Sequence, residues 1–156
     1  MDVFTVSLFG HRELDNLTWL ENNLSLVIKE IIRKKTYVTL LVGRNGEFDI
    51  SAATVVKRVQ KEMGKANNEF ICVLPYSEKN MEYYEGYYDS VMIPECIGQT
   101  YPKAAITKRN RWMVEQADLL VCYVKREQGG AYSALKYAKK LGKEIVNLAD
   151  KNLERE

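Results

Sequence analysis

The sequence predicts an α/β fold, a mostly parallel sheet wound with helices on both faces, and three observations predict it. Short apolar runs alternate along the chain with longer segments of helical period, the β-α-β-α order that builds parallel sheets. Two of the runs, Tyr37–Val42 and Leu119–Val124, are almost continuously apolar, as strands buried on both faces are. Glycine follows several of the runs closely, as at Gly10, Gly43 and Gly129-Gly130. Together these describe a Rossmann-like, doubly wound architecture.

The elements follow in order. Val3–Phe9 is a short apolar run ending at Gly10. From Leu17 to Lys34 the residues Leu17, Leu20, Leu24, Val27, Ile28 and Ile31 repeat with a period of 3.6, which predicts an amphipathic helix. Tyr37–Val42 is the second strand, and Ala52, Val55, Val56, Val59 and Met63 trace the second helical stripe. Phe70–Leu74 is a third strand closed by Pro75. The middle, residues 76–101, is less regular, with a short helix expected around Glu78–Glu85 and a minor strand at Ser90–Ile93. A helix near Pro102–Gln116, a strand at Leu119–Val124, a helix near Gly130–Leu141 and a last strand at Glu144–Leu148 complete the series. No internal repeat or long Pro/Gly/Ser linker divides the chain, so one domain over residues 1–150 is expected, with a polar tail at 151–156.

Composition narrows the function classes. The chain has 156 residues, 46% of them hydrophobic, with nine Gly and three Pro, which describes a globular domain and not a disordered chain. Lys plus Arg is 23 against 21 for Asp plus Glu, a formal net charge of +2. That balance implies no basic face, so nucleic acid is not an expected partner. Cys72, Cys96 and Cys122 are widely spaced and unpaired by motif, which suits reduced thiols in a cytoplasmic protein. No apolar run approaches the 18 residues a membrane span needs, so no membrane association is expected. The single histidine, His11, has no cluster of ligating neighbours, so no metal site is expected.

In open α/β sheets ligands bind beyond the carboxyl ends of the strands, where the strand order reverses. The residues just after each strand therefore enumerate the candidate site: Gly10, His11 and Arg12; Gly43, Gly46, Glu47 and Asp49; and Gly129 and Gly130. Glycines there admit close approach of backbone amides, and a helix start carries partial positive charge, which together suit a nucleotide or another phosphate-bearing small molecule. His11 reads either as a residue making only local hydrogen bonds or as a donor to phosphate or sugar, with Arg12 as its charged companion. Gly129-Gly130 reads either as an ordinary turn or as a phosphate cradle. Neither G-x-G-x-x-G nor a P-loop is present, so dinucleotide cofactor binding and ATP hydrolysis lose support, and no cofactor is called for.

Asp49 reads either as a cap of the second helix or as a ligand residue. Glu47, without that structural role, is the better candidate for touching a ribose hydroxyl or acting as a catalytic base. Asn110 shares a helical face with Ile106, Met113 and Ala117, so it needs hydrogen-bond partners, from a loop or from a ligand. Tyr83, Tyr84, Tyr87 and Tyr88 have i, i+4 spacing and suit core packing, a homodimer interface or stacking on a base.

The turn Gly10-His11-Arg12, the stretch from Gly43 to Asp49 followed by Ala52-Ala53, the run Lys108-Arg109-Asn110-Arg111-Trp112-Met113-Val114 leading into Ala117-Asp118, and Gly129-Gly130-Ala131 occur in one order. Together they resemble the SLOG superfamily, in particular its short bacterial YpsA-like branch, related to DprA and the lonely-guy phosphoribohydrolases. The resemblance spans Val3 to about Leu148. It implies a Rossmann-like domain binding nucleotides or their derivatives, with Gly10, His11, Arg12, Glu47, Asp49, Asn110, Gly129 and Gly130 around the ligand. The phosphoribohydrolase signature P-G-G-x-G-T-x-x-E is incomplete: Gln128 precedes the Gly pair, Tyr132 and Ser133 replace Gly-Thr, and Lys136 stands where the catalytic Glu would. The leading expectation is therefore a nucleotide-binding sensor or regulatory module. The alternatives are an N-glycosidic hydrolase or deoxyribosyltransferase using Glu47, and a protein-interaction domain using the tyrosines.

Overall fold

The computed structural model describes residues 2–44 and 46–150; the expected polar tail at 151–156 lies outside them. Six strands form one sheet: β1 (Val3–Gly10), β2 (Tyr37–Val42), β3 (Asn68–Val73), β4 (Ser90–Met92), β5 (Leu119–Tyr123) and β6 (Glu144–Asn147). The helices are α1 (Leu17–Lys34), α2 (Glu47–Met63), α3 (Met81–Tyr87), α4 (Pro102–Gln116) and α5 (Gly130–Lys140), with a 3-10 turn at Glu95–Ile97. The strand order is β4-β3-β2-β1-β5-β6, and every neighbouring pair is parallel. The architecture is Rossmann-like, as the alternation of runs predicts.

Period-two alternation sorts the strand residues between two cores. Val6 and Leu8 of β1, Val38, Leu40 and Val42 of β2, and Leu119, Val121 and Tyr123 of β5 face α1 and α2. Phe9, Leu41, Leu120 and Cys122 face α4 and α5. Because side chains alternate across a strand, both sets are apolar only when both faces are covered. The helices supply the cover: Leu20, Leu24, Ile28 and Ile32 are the buried stripe of α1, and Ala131, Ala134, Leu135 and Ala138 that of α5. No helix among the described residues is long and apolar enough to cross a membrane.

The tyrosine spacing resolves into packing. Tyr83 stacks on Tyr87 and Tyr84 on Tyr88, with centroids 6.2 and 6.4 Å apart, and Tyr88 packs on Phe70 at 5.1 Å. Lys57 lies over the Tyr87 ring and donates to the Tyr87 carbonyl at 2.8 Å, so this short helix is tied to α2.

β1 and β5 are neighbours, yet from β1 the chain builds the sheet outward on one side (β2, β3, β4) and then returns to build the other (β5, β6). The loops after β1 and β5 therefore leave toward opposite faces, and a crevice opens between them.

Candidate functional site

That crevice is a cleft of about 940 Å³, within the usual range for small-molecule sites. Its walls come from the β1–α1 loop (Gly10, His11, Arg12), the β2–α2 loop (Gly43, Arg44, Gly46), Asp49, Tyr76 after β3, Arg109 and Asn110 of α4, and Gln128 to Ala131 after β5. Nine of the ten sequence-predicted positions line it. Glu47 does not. Its side chain is exposed and its Oε2 accepts from the Leu14 backbone N–H at 3.0 Å, so this carboxylate pins the β1–α1 loop from outside the cleft. The expectation that Glu47 touches ligand or acts as a base has no support in this geometry. In a helix, Glu47 and Asp49 point about 200° apart, and only one of them can face inward.

Three glycines around the cleft sit against neighbouring protein atoms. A Cβ on Gly10 would stand 2.1 Å from the Phe48 ring, inside any contact distance. A Cβ on Gly43 would meet the Arg109 guanidinium at 2.9 Å, and one on Gly46 the Arg12 backbone at 3.2 Å. Phe48 is fully buried, and the amides of Glu47 and Phe48 donate to the carbonyls of Arg12 and His11. Gly10 and Gly46 let the first two loops pack face to face, and Gly43 leaves room for the α4 arginine. Gly129 differs: at φ +93 it occupies a backbone region that L side chains rarely adopt, and it is the N-cap of α5.

His11 is buried and joins the two sides of the crevice. Its Nε2 accepts from the amides of Lys125 at 2.8 Å and Arg126 at 3.0 Å. An imidazole that accepts at Nε2 is neutral there and carries its proton on Nδ1. Burial, seconded by the Arg126 charge, lowers its pKa and keeps the ring neutral. The bonds reach 114 and 115 residues along the chain, so His11 is neither a merely local residue nor a free acceptor; its remaining polar atom is a donor.

Arg109 is the residue that sequence reasoning passed over as a site. It is 7% exposed, donates from Nη1 to the Val73 carbonyl at 2.8 Å and from Nε to Asn110 Oδ1 at 2.8 Å. No carboxylate lies within 4 Å of its guanidinium among the described residues. Asp49 is the carboxyl that acts on it, from beyond ion-pair distance, and a buried, permanently charged group compensated so loosely is costly unless something anionic completes it. The signal was available, since Arg109 falls at i+4 from the buried Ala105 and i−4 from the buried Met113, on a helix face that ought to be apolar.

Asn110, with its Oδ1 engaged by Arg109, has its amide nitrogen beside the start of α5: a Cβ on Gly130 would lie 3.5 Å from Asn110 Nδ2. The partner of its oxygen is thus the adjacent arginine and not a loop backbone. The first turn of α5 has no acidic residue and no side-chain cap, so its free amides and partial positive charge remain unopposed. Asp49 sits at N3 of α2, where its Oδ2 accepts from the Gly46 amide at 3.4 Å, so it does part of a cap's work. Burial pushes its carboxyl up to about 6, although Arg109, the Gly46 amide and Arg12 pull the other way. Arg44 is paired with Glu78 and lies over the Tyr84 ring.

No protein-family model matches the chain, and no curated protein matches it by sequence. Its fold is similar to that of DNA processing protein A from Streptococcus pneumoniae, with a TM-score of 0.66 and 14% identity over 91% of this chain and 49% of that one. It is also similar to DNA processing protein A from Helicobacter pylori, with a TM-score of 0.62 and 14% identity over 97% of this chain and 72% of that one. The chain thus spans about half the length of the Streptococcus protein. The Helicobacter protein is one whose single-stranded DNA binding mode has been described structurally. That corrects the expectation drawn from net charge: this fold is compatible with nucleic acid, because a sum over the chain hides four arginines gathered on one cleft, Arg12, Arg44, Arg109 and Arg126. What the likeness shows is the fold, a Rossmann-like domain shared with DNA processing protein A.

Proposed function

We propose that the cleft binds a nucleotide or nucleotide-derived small molecule through its phosphate, and that the chain is a sensor or regulatory module of the YpsA-like kind. The observation that carries this reading is Arg109, a buried guanidinium with no carboxylate within 4 Å among the described residues, in a cleft that also presents the open N-terminus of α5. Backbone amides at a helix start and a fixed arginine fork are complementary to phosphate oxygens. The Nδ1 proton of His11 and the amide of Asn110 add neutral donors. Tyr76 and Ile106 give the same cleft a partly apolar wall, and Ile106 lies one turn from Asn110 on α4. That wall suits a base or another planar group.

The test is thermal denaturation against a panel of nucleoside phosphates, nucleotide sugars and dinucleotides. A ligand at about 100 times its dissociation constant raises the melting temperature by roughly 5–10 °C for a chain of this size. Arg109→Met abolishes the shift, and Gly130→Asp, which sets a carboxylate at the α5 start, weakens it at least tenfold. A panel without any shift, or a shift untouched by both substitutions, overturns the reading.

A second reading is favoured by the four arginines: the same cleft holds the phosphate of a single-stranded nucleic acid. It is separated from the first by fluorescence anisotropy with a labelled oligothymidylate over a salt series. Strand binding gives an affinity that falls steeply with salt and outruns that of any mononucleotide. A mononucleotide that competes the oligomer away at equal concentration points back to the small molecule.

A further inference from the structure

Among the described residues two carboxylates line the cleft, Glu13 at its exposed rim and Asp49 within it. Asp49 makes one hydrogen bond, to the Gly46 amide, and no Lys or Arg nitrogen lies within 4 Å of its oxygens among the described residues. The cations that act on it are Arg109 from α4 and Arg12 from the β1–α1 loop. From β3 and from the end of α3 it is faced by Cys72 and Tyr88, whose thiol and phenol are held neutral by burial. Arg109 is therefore shared by two claimants, the resident carboxyl and any anion that enters. Both sit in a partly desolvated space where like charges repel strongly.

We propose that Asp49 takes up a proton from solvent when an anion binds the cleft, and in its protonated form donates a hydrogen bond to that anion. The inference rests on the anion-binding reading above and adds that the ligand arrives together with a proton. A neutral carboxyl relieves the repulsion and releases Arg109 to the ligand, and a protonated acid gains the donor that a carboxylate lacks. The free-state balance is already close, since burial holds this group near pH 6. Site occupancy then answers to pH across a narrow range around neutrality.

Sulfate is the probe for the test, because it does not titrate between pH 5 and pH 8 and every proton taken up belongs to the protein. Sulfate affinity is read by chemical-shift titration at pH 5, 6, 7 and 8 at constant ionic strength, with the Asp49 carboxyl carbon followed directly. The expected result is an affinity that falls at least about fivefold from pH 5 to pH 8. Linkage requires an equal factor in the Asp49 pKa, so sulfate raises it by about 0.7 pH units or more. Asp49→Asn, a permanent neutral donor of the same shape, binds sulfate at pH 8 as tightly as the parent does at pH 5. It also separates Asp49 from His11, the single histidine, which lines the same cleft. Sulfate bound equally well at every pH, or a pH dependence that survives in Asp49→Asn, overturns this inference and leaves anion binding standing. Neither sulfate nor any nucleotide bound at any pH overturns both.

Discussion

Gly10 shows how tightly the site is constrained by single side chains. Phe48 fills the space a Cβ would need, at 2.1 Å, so Gly10→Ala forces a movement of a fully buried ring and costs about 1–3 kcal/mol in chemical denaturation. Pairing it with Phe48→Leu recovers part of that loss, which a double-mutant cycle measures; additive losses would refute the contact as the cause. His11 makes a prediction about pH. Its folded pKa is lowered, so the unfolded chain binds more protons below the ordinary histidine value of 6.5. The stability it confers is complete above pH 6.5 and is lost as pH falls through the folded pKa. Asp49 has the opposite sign. Its pKa is raised from 3.8 to about 6, so its contribution is present below pH 3.8 and is lost as pH rises toward 6 and beyond. Asp49→Asn therefore stabilises the unliganded protein at pH 7.5, by on the order of 1 kcal/mol, and leaves stability at pH 3.5 nearly unchanged. A variant less stable than the parent at pH 7.5 would contradict the burial argument.

The fourth helix brings Arg109 and Asn110 to the cleft, and its seating is unusual. Its buried face includes Arg109 alongside Ala105, Met113 and Val114, so apolar packing alone does not hold it. Polar contacts at its carboxyl end do the rest. Ser7 of β1 donates to the Met113 carbonyl at 2.7 Å in a buried setting, and Lys143 donates to the carbonyls of Glu115 and Ala117 at 3.0 and 2.9 Å. Each satisfies a helix-end carbonyl that has no partner within the helix, and the lysine also complements the helix dipole. Ser7→Ala lowers stability by roughly 1–3 kcal/mol through the orphaned carbonyl. It also weakens phosphate-ligand affinity, because Arg109 rides on the same helix; unchanged affinity would show that the far end is anchored independently. Sequence patterning placed this helix well, yet its low amphipathicity concealed the arginine. A charged residue at a core-facing position looks like a break in a stripe until a cleft is seen to receive it.

Topology places the cleft. The chain leaves β1 on one side of the sheet and β5 on the other, so the carboxyl ends of two adjacent strands diverge and make a crevice wide enough for a ligand. His11, from the first loop, accepts the amides that follow β5 and clamps the two halves of the sheet together there. His11→Ala removes this clamp and is expected to raise amide exchange in residues 124–131 above that of the strands, with the sheet otherwise protected; uniform protection would place the clamp elsewhere. Helix and strand periods, the buried character of β2 and β5, and the glycine-marked turns were legible in the amino-acid order, because each depends on neighbours within a turn or a pleat. The Asp49, Asn110 and Gly130 positions were legible for the same reason, as features of one strand end or one helix face. Three things were not. Glu47 and Asp49 compete for one inward direction, and the packing of Phe48 against Gly10 chooses between them. Arg109 becomes a cleft residue only when α4 brings it to the ends of β2 and β3, beside Gly43 and Val73. The concentration of four arginines on one cleft is invisible to a net charge of +2, because it joins loops separated by up to 114 residues (Arg12 to Arg126). Local patterns follow from short-range sterics and hydrophobic period, whereas the meeting of distant charges is set by the order in which the strands assemble.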